Sequence, residues 1–123
     1  MIGRLLDSVI LIDHFNAVGK ATRFLAGLDP NQTAISVITR AEILVGIDGE
    51  TERDSTKSLL DQFTLFIIDQ DIADEAASLR REFGWKLPDA FQAAIALHHR
   101  IRLVTRNTKD FDPAQHDFVE VPY

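Results

Sequence analysis

The stretch Leu87-Pro88-Asp89-Ala90-Phe91-Gln92-Ala93-Ala94-Ile95-Ala96-Leu97 constrains the fold more than any other. It reads as the opening of a largely buried helix, predicted from Pro88 to Arg100. Pro88 suits the first helical position, because its missing N–H would have had no partner there. Phe91, Ala94, Ile95 and Leu97 supply an apolar stripe, and the small alanines admit close approach by another element. Asp89 stands at the front of this helix. The helix dipole favours a carboxylate there, while the adjoining core disfavours one. The question for the rest of the chain is whether other acids arrive at the same place.

Ahead of that helix, short apolar runs alternate with helical stretches. Ile2 to Leu6 reads as a buried strand interrupted by Arg4. After Asp7-Ser8 the periodicity leaves two readings open. The run Val9-Ile10-Leu11-Ile12 fits a strand, and Asp7 or Ser8 as N-cap fits a helix through Val18, with Gly19 ending the unit. Lys20 to Leu28 forms a short helix and Asp29-Pro30-Asn31 a turn. Thr33 to Val37 is the second strand. A helix follows from about Ile38 to Ile47, with Gly46 and Gly49 marking its end. Glu50 to Phe63 is an exposed amphipathic helix, and Thr64 to Ile68 the third strand. Asp71 to Phe83 is a helix stopped at Gly84. Arg102 to Thr105 is the fourth strand, and Phe118 to Val121 a candidate fifth. This order predicts an α/β fold with three α/β/α layers and a mainly parallel sheet of four to five strands. It forms a single domain over residues 1–123. In such sheets ligands bind beyond the carboxyl ends of the strands.

Composition narrows the function. An apolar share of 46% argues against disorder. No apolar run is long enough to span a bilayer, and Met1-Ile2-Gly3-Arg4 lacks the features of a signal peptide. The chain has no cysteine, which excludes disulfides and thiolate metal sites. A soluble cytoplasmic protein with no membrane partner is expected. The net charge of -6 opposes nucleic-acid binding, unless clustered acids hold divalent cations that invert the local charge.

Four segments carry an acid or amide to one edge of the predicted sheet. Asp7 follows the first strand, and Glu42 lies on the helix after the second. Asp89 opens the buried helix, and Asn107 and Asp110 follow the fourth strand. Carboxylate oxygens with open water positions suit Mg²⁺ or Mn²⁺. Each residue also has a plainer role. Asp7 fits a helix cap, Glu42 a capping box with Thr39, Asp89 a dipole partner and Asp110 a turn residue. The clustering favours the shared role, since four separate explanations must otherwise coincide at one edge. The adjacent His98 and His99 point to different sides of a helix and cannot chelate together. Trp85 reads as packing at a turn, with stacking on a base as the other option.

These motifs together resemble PIN-domain ribonucleases of the VapC toxin type over essentially the whole chain. Leu5-Leu6-Asp7-Ser8 through Asp13, Ser36 through Ile43, Leu87-Pro88-Asp89-Ala90, and Leu103 through Phe111 resemble the four motifs in order. The resemblance implies that Val9 to Val18 is helix. It implies an Mg²⁺-dependent endoribonuclease, with Mn²⁺ able to substitute, neutralised by a VapB-like antitoxin. It implies a homodimer and a toxin–antitoxin hetero-oligomer that reaches operator DNA only through the antitoxin. Carried over by position, Asp7, Glu42 and Asp89 would bind metal, and Asp110 would join them as a catalytic acid. The chain has Val9 where the family often has Asn, and Asn107 where it often has the fourth acid. Either Asn107 or Asp110 fills that place. Arg40, Arg106, Asn107 and Lys109 are the candidate contacts to RNA.

Two other classes compete. A phospho-acceptor signalling domain has similar length and α/β order, but needs paired acids after the first strand and an acceptor Asp after a middle strand; Asp7 has no adjacent acid, and Asp69 is a poor acceptor. A catalytically silent PIN-like module would bind a protein partner without needing metal.

Overall fold

The computed structural model describes all 123 residues. Successive residues of a strand face opposite sides of its sheet, and three adjacent apolar pairs exploit this. Leu5 and Leu6 lie in β1 (Arg4–Leu6), Ala34 and Ile35 in β2 (Thr33–Ser36), and Leu103 and Val104 in β4 (Arg102–Val104). Leu5, Ala34 and Leu103 enter one core, and Leu6, Ile35 and Val104 enter the other. The first core is closed by α5 (Gln70–Phe83) and α6 (Leu87–His99), through Ile72, Ala76, Ala93 and Ala96 among others. The second is closed by α1 (Ser8–Phe15), α3 (Val37–Val45) and α4 (Glu50–Leu60), with α2 (Gly19–Ala26) beside them. Three layers result, α/β/α, as the alternation predicts.

With β3 (Thr64–Phe66) and β5 (Val119–Glu120) the sheet has five strands in the order β3-β2-β1-β4-β5, all parallel. The chain winds outward from β1 to β3, then returns to the other side of β1 with β4. The strand order therefore switches direction between β1 and β4, the place where a doubly wound sheet opens a crevice. Asp7 and Thr105 follow those two strands directly. The observed order also separates the chain from phospho-acceptor domains of the 2-1-3-4-5 type. Asp69, already a poor acceptor by its place in the sequence, caps α5 by accepting the Ile72 N–H at 2.9 Å.

Most element boundaries fall within two or three residues of the sequence reading. The segment after Asp7 is helical, as the resemblance implies, but α1 stops at Phe15 rather than Val18. Ala17 takes a left-handed φ of 63° and turns the chain, so Gly19 opens α2 instead of closing α1. Pro88 occupies the second position of α6, because Leu87 is already helical. No helix is long and apolar enough to cross a membrane.

Candidate active site

Asp7 leaves β1 with extended backbone and caps α1. Its carboxylate is 6% exposed and accepts three hydrogen bonds. The Ser8 N–H and the Gln92 side-chain amide meet Oδ1 at 2.9 and 3.3 Å. The Thr105 hydroxyl meets Oδ2 at 2.7 Å. The helix-cap reading of Asp7 is thus true, and it coexists with a place at the crevice.

Gln92 is the residue that organises this interior. It lies one helical turn after Asp89 and is 1% exposed. Its carbonyl oxygen accepts the Ser36 hydroxyl at 2.6 Å, and its amide also donates to the Thr39 hydroxyl at 2.7 Å. Ser36 in turn caps α3, accepting the Thr39 N–H at 3.1 Å. Every buried side-chain polar atom has a partner, so this network meets the condition under which burying polar groups is tolerable. Ser36, and not Thr39, is the cap, which rules out a capping box between Thr39 and Glu42. Glu42 is exposed and accepts the Ser8 hydroxyl at 3.1 Å. It also borders a cleft of about 260 Å³ between α1 and α3, lined by Ile12, Phe15 and Ile43.

Asp89 sits in the first turn of α6, half-buried. Its carboxyl pKa is pushed up from the ordinary 3.8 to about 6. Burial is the largest cause, followed by the negative charges of Asp7, Asp110 and Glu42; Lys86 alone opposes the rise. The structure therefore brings Asp7, Glu42 and Asp110, the other three predicted acids, within electrostatic reach of Asp89. Neither ion pair of the molecule, Arg4–Glu120 nor Arg40–Asp61, involves them.

Asn107 and Asp110 occupy the turn after β4 together. The Asn107 side-chain amide donates to Asp110 Oδ2 at 3.0 Å, and the Asn107 N–H donates to the Thr105 hydroxyl at 3.0 Å. Asn107 thus holds Asp110 from one side and, through Thr105, touches Asp7 from the other. The candidate RNA contacts divide. Arg40 is drawn to Asp61 at 2.8 Å. Arg106 donates to the Tyr123 carbonyl and lies over its ring, 4.8 Å from the centroid. Lys109 is exposed with no side-chain partner. Lys86 is the cation that Asp89 senses, and the sequence reading had no signal for it. Trp85 is 4% exposed and packs, as expected, instead of offering a face to a base. His99 is stacked on Phe66 at 4.0 Å, and the His14 ring meets the Thr22 hydroxyl at 2.9 Å.

A family model for the PIN domain matches residues 4–115. The chain belongs to the PIN-domain family. Solved structures extend the likeness over nearly the whole molecule. A chain of a toxin–antitoxin complex from Klebsiella pneumoniae is 42% identical, with a TM-score of 0.89 and 98% of each chain covered. A chain of FitAcB from Neisseria gonorrhoeae is 23% identical, with a TM-score of 0.78 over 97% of both chains. A chain of VapBC2 from Rickettsia felis, bound to a DNA fragment from its promoter, is 22% identical, with a TM-score of 0.74 over 98% of both. A search of curated proteins gave no significant match. The VapC-type resemblance read from the sequence is borne out in family and fold.

A PIN domain suggests a divalent cation, and the donor set can be tested against one. The side chains at the crevice offer oxygen only, which suits a hard ion. Their charges oppose one another with no Arg or Lys paired to them, which a cation would relieve. No three acidic or histidine side chains stand ready as a closed ligand cage. An acidic, all-oxygen donor set of this kind suits a hard divalent cation that completes its shell with water.

Proposed function

We propose that this chain is the toxin of a VapC-type toxin–antitoxin pair, a Mg²⁺-dependent endoribonuclease silenced by a VapB-like antitoxin. The observation that carries the reading is Asp89, a half-buried carboxyl crowded by Asp7, Glu42 and Asp110. Such clustering of like charges at a crevice, with a strongly shifted pKa, is typical of functional sites. The presence of a 42% identical chain in a toxin–antitoxin complex supports the biological setting. Complexes of more distant relatives with DNA support an operator role that runs through the antitoxin. A homodimer and a cytoplasmic location, where RNA is plentiful, complete the reading.

Asp7, Asp89 and Glu42 would hold the cation, with Asp110 as the fourth acid. A cation bound there would supply Lewis acidity and lower the pKa of water, so that it ionises readily to the nucleophile a phosphodiester needs. The protein's own part is orientation and charge. Ser8, Gln92 and Thr105 fix the Asp7 carboxylate, so it needs no reorganisation when substrate arrives. Ser8 also donates to Glu42 Oε1 and ties that side chain to the start of α1. Without a cation, Asp89 carries a proton below pH of about 6. Lys86 and Lys109 are the free cations placed to meet phosphate.

The test is cleavage of total RNA by the purified chain, freed of any partner. Cutting should require Mg²⁺ or Mn²⁺, stop on chelation, and fall at least roughly 100-fold in Asp89→Asn. A folded wild type that neither cuts RNA nor binds Mn²⁺ would overturn the reading in favour of a silent protein-binding module.

A further inference from the structure

Trp85 is the single tryptophan of the chain. It lies between α5 and α6, four residues before Asp89. One ring face stacks on Phe83 at 4.5 Å, and Phe111 and His116 meet it edge-on at 4.8 and 5.2 Å. Arg80 donates to its backbone carbonyl at 2.7 Å and pins the main chain. The indole N–H points out of this packing and donates to the main-chain carbonyl of Asp110 at 3.0 Å. One side chain therefore joins the segment that delivers Asp89 to the turn that delivers Asp110.

That link has a physical task. Asp89 and Asp110 repel, and the turn carrying Asp110 lies outside the sheet ladder. Phe111 anchors the far end of the turn in the core, and Asn107 braces the Asp110 side chain. Only the indole ties the Asp110 main chain to the Asp89 segment. Filling the space needs no N–H, since a phenylalanine ring would pack there too. We propose that Trp85 is a positioning residue: its indole N–H holds Asp110 at working distance from Asp89, so that the two carboxylates share a divalent cation. This rests on the metal reading above.

The single tryptophan permits an atomic test. Biosynthetic replacement by β-(3-benzothienyl)alanine keeps the bicyclic shape and exchanges the N–H for sulfur. Trp85→Phe is the second variant, for the case in which the analogue folds poorly. Amide hydrogen exchange and Mn²⁺ calorimetry are read on each. Exchange across residues 107–111 should rise while the rest of the molecule is unchanged. Mn²⁺ affinity should fall roughly 10-fold, as for other groups that orient metal ligands. In an Asp110→Asn background the same replacement should change Mn²⁺ affinity by less than about twofold, because Trp85 acts through Asp110. Unchanged exchange at 107–111, unchanged Mn²⁺ affinity, or a full second loss in the Asp110→Asn background each overturns the assignment. A wild type that binds no Mn²⁺ overturns the metal reading itself, and the assignment with it. Running wild type and Asp89→Asn first tells the two failures apart.

Discussion

Asp7 and Asp89 are the same side chain on facing sides of one crevice, and their surroundings are opposite. Asp7 is nearly closed off from solvent, yet Ser8, Gln92 and Thr105 donate to it. Asp89 is only half-buried, yet its environment offers charge repulsion and the distant help of Lys86. Burial alone therefore does not decide how well a carboxyl is provided for here; the donors around it do. The Asp7 side is finished in the folded chain, and the Asp89 side is under electrostatic stress that folding does not resolve.

Removing the satisfied acid should do the most damage. Asp7→Ala strips the cap from α1 and leaves one Gln92 amide N–H and the Thr105 hydroxyl without an acceptor in the interior. We expect a loss of about 3 kcal/mol, read as a lower urea midpoint with unchanged slope.

Removing the stressed acid should do the reverse. The folded-state pKa of Asp89 is raised from 3.8 to about 6, so the folded chain holds this proton more tightly than the unfolded chain. Its contribution to stability is fully present below about pH 4 and is lost as pH rises through about 6. Asp89→Asn should therefore be more stable than wild type at pH 7 in the absence of metal. After discounting for partial exposure, the gain is about 1–2 kcal/mol. The difference between the two proteins should vanish below pH 4, as measured by thermal melts across pH. A constant difference at every pH would erase the contrast with Asp7.

The smallest effect belongs to the rim. Arg40→Ala removes a surface pair with Asp61 and should cost under about 1 kcal/mol in thermal melts. Because Arg40 is already engaged, its loss should weaken RNA binding less than Lys109→Ala does, as measured by filter binding.

The sequence exposed the acids because each stands at a junction. Asp7 ends a strand, Asp89 opens a helix, and Asp110 follows a strand, so a parallel sheet must bring them to one edge. It did not expose what holds them. Gln92 looks like a lone polar residue on an apolar helix, and only the approach of Ser36 and Thr39 from another layer gives it a role. The signal available was its place, one turn after Asp89 on the same side. Arg40 and Arg106 were read as candidate RNA contacts because Asp61 and Tyr123, their partners in space, are remote in sequence. The end of α1 was misplaced because Ala17 takes a left-handed backbone that glycine usually marks.

The bond from Thr105 to Asp7 spans 98 positions of sequence. A chain made from its amino end releases Asp7 well before Thr105, Asn107 and Asp110. At about 5–20 residues per second, the interval is roughly 5–20 s. Throughout it β1 has no neighbour on the β4 side, and the crevice has only one wall. A nascent copy thus has no complete crevice until the last of these segments is made, by the order of its strands alone.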